Sequence, residues 1–66
     1  MKITINGKQA ETPQNTSIPN LLEQLNLTGK PVVIELNQTA LFPRDYKTTN
    51  LSEGDKLEII TIAAGG

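Results

Sequence analysis

The sequence predicts an α+β domain, a mixed sheet of four to five strands with one main helix packed across one face. Three observations carry that prediction. A hairpin pattern opens the chain, a single helical stripe follows it, and strand patterns fill the remainder. Because the helix stands between the hairpin and the later strands, the chain crosses over through it. The first and last strands can then pair in parallel at the sheet centre. With 66 residues the chain can build one small core and cannot divide it.

Ile3 and Ile5 alternate with Lys2 and Thr4, the period-two pattern of a half-buried strand. Asn6-Gly7 suits the positive φ angles of a type I′ turn, so Lys8–Glu11 returns as a polar second strand. Thr12-Pro13-Gln14-Asn15 reads as a loop. Ile18, Leu21, Leu22 and Leu25 then stand at i, i+3, i+4 and i+7, one apolar helical stripe from about Ile18 to Asn26. Thr16 or Ser17 can cap its start, and Pro19 is tolerated in the first turn. Gly29 is the expected left-handed residue at its end, with Pro31 stopping any continuation. Val32–Leu36 is apolar on both parities and reads as a central strand. Asn37-Gln38-Thr39 turns into a short strand around Ala40–Phe42, which Pro43 ends. Arg44–Asn50 reads as irregular, anchored by Tyr46. Ser52-Glu53-Gly54-Asp55 is a turn, and Lys56–Ile62 is the longest strand candidate. The expected core is Ile3, Ile5, Leu21, Leu25, Ile34, Leu36, Leu51, Leu57 and Ile59. This order of elements is the outline of a β-grasp fold.

Composition excludes several function classes. The chain has no Cys and no His, so it lacks a thiolate, the commonest metal ligand and the usual general base near neutral pH. A metal staple is ruled out, and self-contained catalysis is not expected. Its net charge is −1, with six scattered Lys and Arg residues, which argues against nucleic acid as a partner. No apolar run approaches the roughly 20 residues of a membrane span. The opening Met1–Ile5 alternates in hydrophobicity and is unlike a signal peptide. A cytoplasmic location, with no membrane contact, is the expectation.

The informative feature is the terminal Gly65-Gly66. At a glycine frequency of about 7%, chance gives such an ending in roughly 0.5% of sequences. An inert tail would also suit glycine. The functional alternative is that glycine, lacking Cβ, passes a narrow channel that excludes other residues. The four residues Ala63–Gly66, if extended, reach about 13 Å. That is enough to deliver the Gly66 carboxylate into a partner's pocket while the globular part docks outside. The expected division is therefore a folded domain over 1–62 and a flexible tail over 63–66.

Taken together, these pieces resemble the ThiS family of thiamine-biosynthesis sulfur carriers, which have a ubiquitin-like β-grasp fold. The resemblance rests on Met1–Gly7, on Leu21-Leu22-Glu23-Gln24-Leu25, and on Asn37 after the central strand. It continues through Phe42-Pro43-Arg44 with an aromatic at Tyr46, then Leu51, Glu53-Gly54-Asp55 and Gly65-Gly66. Two departures are visible: Tyr46 stands where the family usually has Trp, and the turn at Asn37-Gln38-Thr39 lacks its frequent glycine. The resemblance implies a protein co-substrate rather than an enzyme, with no bound cofactor. An ATP-dependent adenylyltransferase would activate the Gly66 carboxylate as an acyl-adenylate. A persulfide supplied by a cysteine desulfurase system would convert it to a thiocarboxylate, and thiazole synthase would receive the sulfur. Free of its partners, the chain is expected to be a monomer.

Ile60 and Ile62 have the parity opposite to Leu57 and Ile59, so they face outward beside the tail. They read either as scattered exposed aliphatics or, with Ala63 and Ala64, as a docking patch for the adenylating enzyme. Arg44 reads as a solvated arginine or as a partner contact. Tyr46 reads as a packing anchor, and Glu53 and Asp55 as turn residues. Three other functions compete. One is a carrier like the small subunit of molybdopterin synthase, although such chains are usually longer. Another is a ubiquitin-like modifier joined through Gly66 to target lysines. The third is a plain interaction module whose glycines are incidental.

Overall fold

Asn6 and Gly7 take φ angles of 50° and 82°, both positive as a type I′ turn requires. They join β1 (Lys2–Ile5) to β2 (Lys8–Glu11) as an antiparallel hairpin with Ile3 opposite Ala10. The computed structural model describes residues 1–62. The expected tail, Ala63, Ala64, Gly65 and Gly66, lies outside the described residues.

Two buried threonines, which the hydrophobic pattern did not foretell, fasten the following loop to the helix. The Thr12 hydroxyl donates to Thr16 Oγ1 at 2.9 Å and lies 3.1 Å from Gln24 Oε1. Thr16 donates to the Pro13 carbonyl at 2.6 Å, so the buried hydroxyls are satisfied. Helix α1 (Ile18–Gln24) starts at Ser17, whose Oγ accepts from the Asn20 N–H at 3.2 Å.

The end of α1 corrects the sequence reading. The left-handed residue is Asn26 (φ 60°), and Gly29 (φ 78°) belongs to the next turn. The Asn26 N–H donates to Glu23 O at 3.1 Å and the Leu27 N–H to Leu22 O at 2.7 Å. That pair of bonds is a Schellman motif, and it stops the helix before a further turn can form. Leu25, expected in the core, becomes the C-cap and is 37% exposed. Ile18, Leu21 and Leu22 form the buried stripe instead, and Leu27 packs against it after the chain reverses.

β3 (Val32–Leu36) and β4 (Thr39–Leu41) form a second hairpin around Asn37 and Gln38, at φ 50° and 70°. The segment predicted to be irregular is a 3₁₀ helix, Pro43–Thr48. Pro43 presets its first φ. At its far end the hydroxyls of Thr48 and Thr49 donate to the Asp45 carbonyl at 3.2 and 2.7 Å, satisfying an acceptor at the helix end. Gly54 (φ 84°) turns the chain into β5 (Lys56–Thr61).

The strands lie in the order β2-β1-β5-β3-β4. β1 and β5 pair in parallel at the centre, as the crossover predicts, and β5 runs antiparallel to β3. Ile3, Ile18, Leu21, Leu22, Ile34, Leu51, Leu57 and Ile59 form the core between sheet and helix. Ile5 and Leu36, also expected there, are only half-buried. Each is the last residue of its strand, beside a turn, where the cover thins. The fold is a mixed five-stranded sheet with one main helix, the predicted α+β class.

Candidate functional site

Alternation along β5 divides its side chains between two faces. Leu57 and Ile59 are buried, whereas Ile60 is 59% exposed and Ile62 52% exposed. Both isoleucines therefore stand where the sequence placed them. Register extends the patch beyond β5. Val33 of β3 pairs directly with Ile60 and is 43% exposed. Continuing the Ile34–Leu41 register by one residue sets Phe42, 53% exposed, beside Val33. Four of the five large exposed hydrophobic residues among those described thus stand at the end of the sheet that leads into residue 63. The next row on this face is acidic, with Glu35 opposite Glu58.

Sequence offers Val33, with Leu41, only as a fallback position for docking, and Phe42 only as part of the family resemblance. Val32–Leu36 is apolar on both parities, which reads as burial on both faces, yet only Ile34 within it is fully buried. The missing signal is the single helix: one helix covers one face, so a two-faced apolar strand must leave the other open.

Ile62 is held at the end of the ladder, its N–H donating to Pro31 O at 3.0 Å. With Pro31, Val32, Pro43 and Tyr46 it lines a shallow apolar groove. The Arg44 guanidinium lies 4.9 Å from the centre of the Phe42 ring, a cation–π contact that sets a positive charge at the patch edge. Tyr46 packs against the core, as expected of an anchor. Desolvation by burial lifts its phenol above the ordinary value. Glu53 accepts the Lys2 N–H at 3.1 and 3.2 Å, and Asp55 accepts the Ser52 N–H at 2.8 Å, so both serve the turn around Gly54. Gly65, Gly66, Ala63 and Ala64, the other predicted site residues, lie outside the described residues. Among the described residues no helix is long and apolar enough to cross a membrane, and no acidic cluster could hold a metal ion.

The arrangement is an apolar row with a charged margin, at the end of the sheet that leads into residue 63. Residues 3–66 match the family model of the ThiS family. The chain belongs to the ThiS family. The match runs to residue 66, the last of the chain. Among solved structures, the crystal structure of the thiamine biosynthesis protein ThiS from Geobacter metallireducens is similar at a TM-score of 0.85. The two share 28% identity and each chain is covered in full. This likeness makes the ThiS-family chain a ubiquitin-like β-grasp domain. The chain is also 36% identical to the uncharacterized protein ycf40 of Porphyra purpurea, over all of its own length and 93% of that protein. It is 30% identical over its full length to 20% of a thiazole synthase of Paramagnetospirillum magneticum.

Proposed function

We propose that this ThiS-family protein is a sulfur carrier for thiazole formation in thiamine biosynthesis, with the Gly66 carboxylate as the carrying group. The observation that carries the reading is a family match that extends to residue 66. The neighbouring thiamine biosynthesis protein of Geobacter metallireducens supports the pathway. The thiazole synthase of Paramagnetospirillum magneticum supports the receiving partner, because a segment like this chain stands in the same polypeptide as that enzyme.

A carboxylate is a poor electrophile until it gains a good leaving group. An adenylyltransferase supplies one by joining Gly66 to the AMP of ATP and releasing pyrophosphate. The terminal sulfur of a persulfide, formed by a cysteine desulfurase, attacks the acyl carbon and AMP leaves. A second thiol then cleaves the resulting acyl disulfide and is itself oxidised, leaving the Gly66 thiocarboxylate. That soft, unhindered nucleophile passes its sulfur to thiazole synthase. The carrier needs no cofactor of its own in this scheme; the ATP is the partner's substrate. Phe42, Val33, Ile60 and Ile62 dock the adenylyltransferase, with Ala63 and Ala64 continuing the contact toward its channel. Gly65 lets the chain pass.

The test is ATP–pyrophosphate exchange with the cognate adenylyltransferase. Deleting Gly66 withdraws the carboxylate by about 3.3–3.6 Å, and a misplacement of about 1 Å can already cost a hundredfold. Exchange should therefore collapse, and Gly65→Val should block it by adding a branched Cβ. Full exchange by the deletion variant sinks the proposal. Intact mass of the chain isolated from cells separates the alternatives: one oxygen replaced by sulfur marks a carrier, and protein adducts mark a modifier.

A further inference from the structure

Asn6 does more than turn the hairpin. Its backbone N–H donates to Leu57 O at 2.9 Å. Its carboxamide then pairs edge-on with the backbone of Ile59: Nδ2 donates to Ile59 O at 3.0 Å, and Oδ1 accepts the Ile59 N–H at 2.8 Å. The side chain thus imitates one further residue of the β1–β5 ladder, whose parallel register covers only Thr4–Lys56 and Ile5–Leu57.

The residue after it is Gly7, and Asn-Gly carries an intrinsic chemical liability. The Gly7 amide nitrogen can attack Asn6 Cγ, forming the N–Cγ bond of a five-membered succinimide while the Cγ–Nδ2 bond breaks. Nδ2 departs as ammonia, carrying the amide proton of Gly7. Water then opens the ring to aspartate or isoaspartate, and no oxidant or reductant is required. Glycine favours the attack because it has no side chain to shield its nitrogen and restricts its own backbone least. For Cγ to meet that nitrogen, the carboxamide must swing away from Ile59 and give up both hydrogen bonds.

We propose that Asn6-Gly7 is a deamidation site gated by the β1–β5 junction, silent while Asn6 is clamped to Ile59 and reactive once the clamp opens. The product cannot re-form the clamp. Aspartate at position 6 would set a carboxylate oxygen against the Ile59 carbonyl in place of a donor. Isoaspartate would also add a methylene to the backbone of a two-residue turn. Either change loosens the central strand one residue before Ile60. The site therefore records excursions from the closed fold and makes them irreversible.

The experiment incubates the full chain at 37 °C and mildly alkaline pH, with and without denaturing urea. Deamidation is followed as a gain of about one mass unit, mapped by peptide digestion and by enzymatic methylation of isoaspartate. Asn6 in the folded chain should react at least about tenfold more slowly than in the unfolded chain, since local opening limits it. Leu57→Ala, which weakens the same strand, should narrow that gap without denaturant. Asn6→Asp should lower the urea midpoint and speed hydrogen exchange at the Ile59 amide. Equal rates at Asn6 in the folded and unfolded wild-type chain would overturn the gating. An Asn6→Asp variant with the wild-type midpoint and Ile59 exchange would overturn the claim that the product loosens β5.

Discussion

Replacing Ile60 by Ser removes an outward side chain that folding leaves 59% exposed. Burying a whole isoleucine side chain is worth about 1.5–3 kcal/mol. A partner that covers the exposed 59% therefore draws on about 0.9–1.8 kcal/mol. The expected loss of affinity for the adenylyltransferase is about 4- to 20-fold. The cost to the fold stays within the span of about 1 kcal/mol seen for strand substitutions. The assay is titration calorimetry against the adenylyltransferase, with the urea midpoint of each variant as the control. Val33→Ser, at the paired position with 43% exposure, should weaken binding by about 0.6–1.3 kcal/mol on the same arithmetic. Because Val33 and Ile60 touch one patch, the double variant should depart from additivity. Unchanged affinity in Ile60→Ser, with the fold intact, would refute the reasoning and move the docking surface off this face.

Leu22→Ala should destabilise the chain by about 2–5 kcal/mol, and Leu25→Ala, at 37% exposure, by no more than about 1–2 kcal/mol; equal urea midpoints for the two would contradict the observed helix end. Gln38→Gly removes a left-handed non-glycine residue (φ 70°), relieving about 1–2 kcal/mol against about 0.4–1 kcal/mol of added unfolded-state freedom. The net gain should raise Tm by a few degrees, and a lower Tm in a thermal scan would show that this turn is unstrained. Burial lifts the Tyr46 phenol in the folded state, so its contribution is fully present below the unfolded value of about 10 and is lost as pH rises through the folded one. Wild-type stability should therefore fall above about pH 10 by a component that Tyr46→Phe lacks, and parallel pH–stability curves for the two would exclude it.

Most of the fold was legible because the sequence states it locally. Period-two and helical stripes gave the strands and the helix, and Asn6-Gly7 and Gly54 gave two turns whose positive φ angles the structure shows. What escaped was decided by backbone bonding that no stripe records. Leu25 continues the helical pattern perfectly, yet two carbonyls behind it are taken by Asn26 and Leu27, so the helix ends under it. The segment Pro43–Thr48 carries no apolar period, and its 3₁₀ turn is held by threonine hydroxyls on Asp45. The candidate site was half legible. Ile60 and Ile62 follow from parity within one strand, whereas Val33 and Phe42 join them only through the register between strands.

That register is where fold and function meet. On β5, Leu57 and Ile59 complete the core while Ile60 faces outward, so a slip of one residue would exchange buried and exposed side chains. The hydrophobic pattern resists such a slip through Leu57, whose place in the core would pass to Lys56 or Glu58, but does not itself tell Ile59 from Ile60. The structure adds fixed points from both neighbouring hairpins. Asn6 grips Ile59 from the β1 side, with both halves of its carboxamide engaged. Asn37 grips the other end: its Oδ1 accepts the Lys56 N–H at 2.9 Å, its N–H donates to Lys56 O at 2.7 Å, and its Nδ2 donates to Asp55 Oδ1 at 3.0 Å. Both asparagines sit at φ 50°, the first left-handed position of their turns, a conformation that asparagine tolerates better than other residues with side chains. The turns thus do two jobs with one residue type: they reverse the outer strands, and they fix which isoleucine of β5 faces out beside residue 63.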